Sequence, residues 1–274
     1  MDHGPFEPSF SESMHRYHRN HQWNALATEG AMLDDLSSTT PCLEEKTMPT
    51  HRIRTALAVI GLLLVAESIA GGANATEDQN FSVVIRNVSN SMTLRISDSE
   101  TRAVPVAPGA YAVVSKDATI FRTGSSAGAS GLEALAEDGN ADPLIAFLKS
   151  QPDVKQAGLF VPGQAFTVAA EPGDRLVFAA MFVESNDLFF GSDSAGISFF
   201  DPSGVALNGD ITNSIGLWDA GTEINEQPGI GQFQAPRQPS PDSGPAENGT
   251  VRPVEDGFDY PEVADVLAVT VSVK

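Results

Sequence analysis

From Phe81 onward the apolar residues come in short runs broken by Gly, Pro, Asn and Asp, and this punctuation points the chain towards a β architecture. Phe81, Val83 and Ile85 alternate with Ser82, Val84 and Arg86, the pattern of a half-buried strand over 81–88. The pattern repeats over 92–96, which predicts a hairpin turning around Asn90-Ser91. Pro108-Gly109 turns the chain into a strand over 110–115. Two further strands, 164–170 and 175–183, flank Glu171-Pro172-Gly173-Asp174, whose Pro-Gly centre suits a type II turn. The stretch 176–183 is almost wholly apolar, so it is expected to be a central strand covered on both faces. Strands over 196–200, 211–218 and 266–273 follow.

Helical signals are brief. In 130–139, Ser130 with Glu133 three residues on reads as a capping box, Leu132 and Leu135 share a face, and Gly139 stops the helix. Asp142-Pro143 opens a second helix carrying Leu144, Phe147 and Leu148 on one side. The stretch 223–260 is rich in Pro, Gly, Gln and Asn and reads as one long loop. The expected fold is a mostly β, antiparallel β-sandwich with one or two short helices.

The N-terminal part has a different character. His51, Arg52 and Arg54 precede an unbroken run of apolar residues and glycine over 56–66, and Ala73-Asn74-Ala75 forms a small-x-small site. That order is a secretory signal peptide over 48–75, cleaved between Ala75 and Thr76, and it implies a secreted or periplasmic protein. The run falls short of the ~20 apolar residues that span a bilayer. A core helix would be amphipathic, and this one is not. Residues 1–47 are polar and aperiodic, and are expected to be either a disordered extension or an upstream misreading with the true start at Met48.

The expected mature domain, 76–274, holds 27 acidic and 11 basic side chains, a net charge of −16, and neither Cys nor His. It therefore has no disulfide, no Ser-His-Asp triad, no Cys-His pair and no ordinary structural zinc site. A field this negative repels phosphate, which argues against nucleic acid. An oxygen-ligand cation such as calcium is the partner the composition admits. Asp187 follows the expected central strand, Asp219 ends another, and Glu223 comes four residues later past Gly221. If those strand ends share an edge, three carboxylates from two loops converge, and a cation relieves their repulsion. The alternative is three solvated loop acids. Arg237 and Arg252, in QAPRQ and VRP, are expected to pair with acids and pin the long loop. One of Phe189 and Phe190 is expected to pack into the core, the alternative being an apolar loop tip that touches lipid.

The segments FAAMFVESNDLFF, GLEALAEDG, LWDAGTEINEQPG, QAPRQ and NGTVRPVEDGF resemble the spondin domain in its bacterial secreted form. The resemblance runs from about Phe81 to the C-terminus, and WDAGT with the preceding Asn-Asp loop is its most specific part. It implies a non-catalytic, calcium-binding β-sandwich similar to the synaptotagmin-type membrane-targeting domains, as found in extracellular-matrix and adhesion proteins. The family's calcium ligands are aspartates in a Pro-Asp-Trp loop and a WDAGTD segment. By resemblance they fall on Asp187, Asp219 and Glu223. Asn186 and Leu188 replace the proline and tryptophan, Glu223 replaces an aspartate, and the disulfides of animal members are missing. The implied partners are calcium and an extracellular protein, glycan or lipid. The alternatives are a carbohydrate-binding module with structural calcium and a glycosidase using Asp187 and Asp219.

Overall fold

The alternation at 81–88 becomes strand β1 (Gln79–Asn87), with Phe81, Val83 and Ile85 fully buried and Arg86 exposed. The computed structural model describes residues 78–274. The expected signal peptide and the segment before it lie outside the described residues.

After β1 come β2 (Leu94–Arg95), β3 (Thr101–Arg102) and β4 (Gly109–Val114). Helices α1 (Leu132–Asp138) and α2 (Asp142–Ser150) follow. Then come β5 (Val154–Phe160), β6 (Ala165–Ala170), β7 (Arg175–Met181), β8 (Leu188–Ser192), β9 (Ile197–Ser198) and β10 (Gly209–Asp210). The chain finishes with β11 (Ile215–Asp219), β12 (Arg252–Pro253), the single turn α3 (Val263–Val266) and β13 (Leu267–Val273).

The strands form two main sheets, and the pairings within them are antiparallel. The smaller has the order β10-β13-β1-β6. The larger has the order β12-β11-β8-β7-β4-β5, with β9 also on β7. Their facing sides make one core: Phe81, Val83 and Ile85 of β1 and Val269 and Val271 of β13 pack with Leu176, Phe178 and Ala180 of β7 and Phe190 of β8. The far side of the large sheet makes a second core. There Val177, Ala179 and Phe189 meet Leu132 and Leu135 of α1 and Leu144 and Leu148 of α2. Strand β7 feeds both cores with alternate residues, which is why it reads as nearly continuous apolar sequence. The mostly β, antiparallel sandwich is as expected.

Three local expectations change. The turn at Asn90 exists, with the Thr93 N–H donating to the Asn90 carbonyl at 3.0 Å. The chain beyond it does not fold back on β1, because β13 and β6 occupy both edges of that strand. Instead β2 pairs with β3. Helix α1 is not capped by a box at Ser130: Gly131 is the N-cap, in the left-handed region, and the Ser130 hydroxyl accepts only a 3.3 Å bond from the Leu132 N–H. The strand expected over 211–218 begins only at Ile215, after a 3₁₀ turn at Thr212–Ser214. The turn at 171–174 forms as expected, with the Asp174 N–H donating to the Glu171 carbonyl at 3.0 Å, and it carries the chain from the small sheet to the large one.

No strand was expected at β8. Its five residues are all buried, with Phe189 on the helix side and Phe190 on the sandwich side. Phe189 stands edge-on to Phe121 at 5.2 Å, and Phe190 lies 5.5 Å from Phe182. Both phenylalanines are core residues, so the lipid-tip alternative fails on burial. Among the described residues no helix is long and apolar enough to cross a membrane.

Candidate metal centre

Two strand ends build the site. Asp187 is the last residue of the turn between β7 and β8, which Ser185 holds: its hydroxyl donates to the Phe182 carbonyl at 2.6 Å and accepts from the Leu188 N–H at 3.1 Å. Asp219 ends β11 and pairs in register with Leu188. The Ala220 N–H donates to the Asp187 carbonyl at 3.2 Å. Asp187 and Asp219 are therefore side by side where the neighbouring strands β8 and β11 meet their loops, and both are fully buried.

The chain after Asp219 wraps around Asp187. One Asp187 oxygen, Oδ2, accepts from the Thr222 N–H at 2.7 Å, the Thr222 hydroxyl at 3.1 Å and the Glu223 N–H at 3.0 Å. The other, Oδ1, is buried and accepts no hydrogen bond among the described residues. A buried polar atom left unpaired costs about 1–3 kcal/mol, and more when charged. Burial first, and then the neighbouring Asp219 charge, push the Asp187 carboxyl up to about 7 against the pull of its three donors. Asp219 Oδ1 accepts from the Gly221 N–H at 2.6 Å, and Oδ2 accepts from Asn225 Nδ2 and an Arg252 guanidinium nitrogen, both at 2.8 Å. Burial raises this carboxyl as well, although the Gly221 hydrogen bond and the Arg252 charge oppose it.

The third carboxylate beside this pair is Glu247. Single oxygens of Asp187, Asp219 and Glu247 lie within 4.8 Å of one another. Glu223 falls in a second group with Glu137 and Asp242, at the same spacing. The reason is local: the backbone N–H of Glu223, rather than its side chain, meets Asp187, while its Oε1 accepts from the Gly244 N–H at 2.7 Å. Burial also raises Glu223, and it pushes buried Glu137 up to about 8.

Sequence reasoning missed Glu247, Asn225 and Glu137. Asn225 belongs to the same GTEIN run as Glu223, and Glu247 stands five residues before Arg252 in the last motif, but neither spacing reveals the contact. A second buried atom without a partner, Asn225 Oδ1, lies on the amide whose Nδ2 binds Asp219. Asn186, standing where the resembled family has proline, ties the neighbouring loop. Its Oδ1 accepts from the Glu226 N–H at 3.0 Å, and its Nδ2 donates to Glu226 at 3.2 Å. Both arginines pair with acids as expected: Arg237 with Glu184 at 2.9 Å, and Arg252 with Asp219 and Glu247. Trp218 is half-buried against Phe121, with ring centroids 4.9 Å apart.

Gly221 makes the tight return possible. Its φ is +70°, and an added Cβ would lie 2.6 Å from the Thr250 backbone nitrogen. Gly221→Ala is expected to cost about 2–4 kcal/mol by combining left-handed strain with a backbone clash. Urea unfolding measures it, and a midpoint equal to wild type would contradict the tight packing of this turn.

The donor set suits a hard cation. Carboxylate and amide oxygens are what calcium takes, six to eight of them at about 2.3–2.6 Å, with carbonyls and water completing the shell. Asp187 Oδ1 is the atom with the most to gain. Searches against protein-family models and against curated proteins find no match, so the resemblance of this chain to the spondin domain rests on the quoted motifs.

Proposed function

We propose that this chain is a secreted or periplasmic calcium-binding module of the spondin type, which binds rather than catalyses, and that its ion is held by Asp187 and Asp219 with Glu247. One observation carries the reading: Asp187 Oδ1 is a buried carboxylate oxygen with no partner, set beside a second fully buried carboxylate. Two anions in that position repel, and although Arg252 bonds to Asp219, Asp187 Oδ1 is left without a partner that a cation would supply. Glu223, the third ligand expected by resemblance, contributes its backbone N–H to Asp187, and its side chain belongs to the neighbouring acidic group.

Calcium here would act as a structural staple. It would neutralise the pair and lock the β7–β8 turn to the loop after β11, in a domain with no disulfide to do so. Exported calcium modules bind with dissociation constants of about 10⁻⁴–10⁻³ M. At ~100 times that constant the fold gains about 2.7 kcal/mol. The alternative, a glycosidase, requires its two acids to reach a sugar, and the full burial of Asp187 and Asp219 opposes that.

The test is a calcium titration of the purified chain, followed by melting temperature. Saturating calcium is expected to raise it by about 5–10 °C. Asp219→Asn is expected to remove the rise. An unchanged melting temperature at tens of millimolar calcium would sink the reading. Binding to glycans that ignores calcium would move the function to a carbohydrate-binding module.

A further inference from the structure

One guanidinium nitrogen of Arg252 lies 2.8 Å from Asp219 Oδ2, 2.7 Å from Glu247 Oε1 and 2.8 Å from Glu247 Oε2. Three carboxylate oxygens from two residues thus converge on one positively charged atom. Those distances exceed calcium–oxygen distances by only a few tenths of an ångström. The nitrogen therefore stands where an ion shared by Asp219 and Glu247 would stand, and the two cannot occupy the point together.

We propose that Arg252 is a resident cation that must leave before a metal ion is bound, and that it thereby sets both the affinity of the site and its preference for divalent ions. This rests on the calcium reading above. The side chain of Arg252 is 35% exposed, so it has a route out to solvent, whereas Asp219 is 1% exposed and stays. Arg252 lies on β12, a two-residue edge strand whose partner is β11, and its second terminal nitrogen makes a 3.3 Å contact to the Thr250 carbonyl.

Charge decides the selectivity. Exchanging a guanidinium for sodium replaces one positive charge by one, and forfeits the charge-assisted hydrogen bonds to Asp219 and Glu247. Exchanging it for calcium adds a charge to a cluster of three carboxylates. In a saline medium the arginine keeps monovalent ions out and admits a divalent ion at a reduced affinity.

The experiment compares calcium binding by calorimetry in the full chain, Arg252→Met and Arg252→Lys. Each is measured in sodium chloride and in choline chloride of equal ionic strength. Arg252→Met is expected to bind calcium at least about tenfold tighter than wild type in choline, the loss of a competing unit charge. Its affinity is expected to fall when sodium replaces choline, while that of wild type stays level. Arg252→Lys, which keeps the charge, is expected to remain within about threefold of wild type, and it serves as the folded control if the methionine variant fails to fold without calcium. In that case Arg252→Lys must still show the indifference to sodium, and sensitivity to sodium overturns the proposal. If wild type binds calcium and Arg252→Met binds it equally or more weakly, Arg252 positions the acids instead of competing with the ion. If neither wild type nor variant binds calcium, the calcium reading itself falls and this inference falls with it.

Discussion

Asp187→Asn is expected to stabilise the calcium-free chain at pH 8 while abolishing its response to calcium. Burial, and then the Asp219 charge, raise the Asp187 carboxyl from its ordinary 3.8 to about 7. A carboxyl raised on folding favours the folded state as the neutral acid. That contribution is complete below about pH 4 and is lost as the pH climbs through 7. By pH 8 the ionised group weakens the fold by on the order of 4 kcal/mol. Asparagine keeps the shape and leaves an acceptor oxygen for the Thr222 and Glu223 donors, and it removes the charge. A gain of about 2–4 kcal/mol at pH 8 follows, shrinking towards zero at pH 4. Buried Glu137, raised to about 8, gives the wild-type chain a further loss of the same sign over pH 5–8. On the proposed reading calcium would bind the ionised form, so saturating calcium should flatten the wild-type pH profile. Urea unfolding in chelator at pH 4, 6 and 8, with and without calcium, reads every part of this. A variant less stable than wild type at pH 8 would mean that ionised Asp187 is a net support of the metal-free fold.

This pattern of stability traded for a charge supports the proposed ion. An exposed acidic loop loses little by ionising, because water screens it. Here two carboxylates are fully buried and one has an empty acceptor. Such a cost persists where a ligand offsets it.

The sheets were legible in the sequence because their periodicity is local. The alternation in β1 and the continuous apolar run of β7 each follow from which faces are covered, and both were read correctly. β8 was not, because five buried residues after an Asn-Asp pair look like a short loop until the strands on either side are known. Pairing partners were hidden for the same reason: whether β2 turns back onto β1 depends on β13, nearly 180 residues away. Asp187 and Asp219 could be proposed from their places at strand ends. Glu247 and Asn225 could not, because their approach depends on the loop after β11 folding back through Gly221, where the Gly249 N–H donates to the Gly221 carbonyl at 2.6 Å. Arg252 was foreseen as an acid's partner, and its position at the focus of the cluster emerged only in three dimensions.

Phe190→Ala is expected to cost about 3–5 kcal/mol, and to weaken calcium binding although Phe190 touches no ion. Its ring is fully buried between the sheets, 5.5 Å from that of Phe182. Truncation leaves a cavity that the rigid β7 and β11 neighbours cannot close. Phe190 also pairs with Leu217, two residues before Asp219, and lies three residues after Asp187. The same β8–β11 ladder thus packs the core and sets the spacing of the two carboxylates. Loosening it spreads the ligands, and saturating calcium should recover only part of the lost stability. Phe189→Ala, on the helix side of the same strand against Phe121, is expected to cost as much. An apolar tip made for lipid would behave in the opposite way: alanine at either position would leave the urea midpoint unchanged and release the protein from anionic vesicles in calcium. Full burial of both rings selects the first outcome. A variant that unfolds at the wild-type midpoint would show that β8 does not pack as a buried strand, and the juxtaposition of Asp187 and Asp219 would lose its support with it.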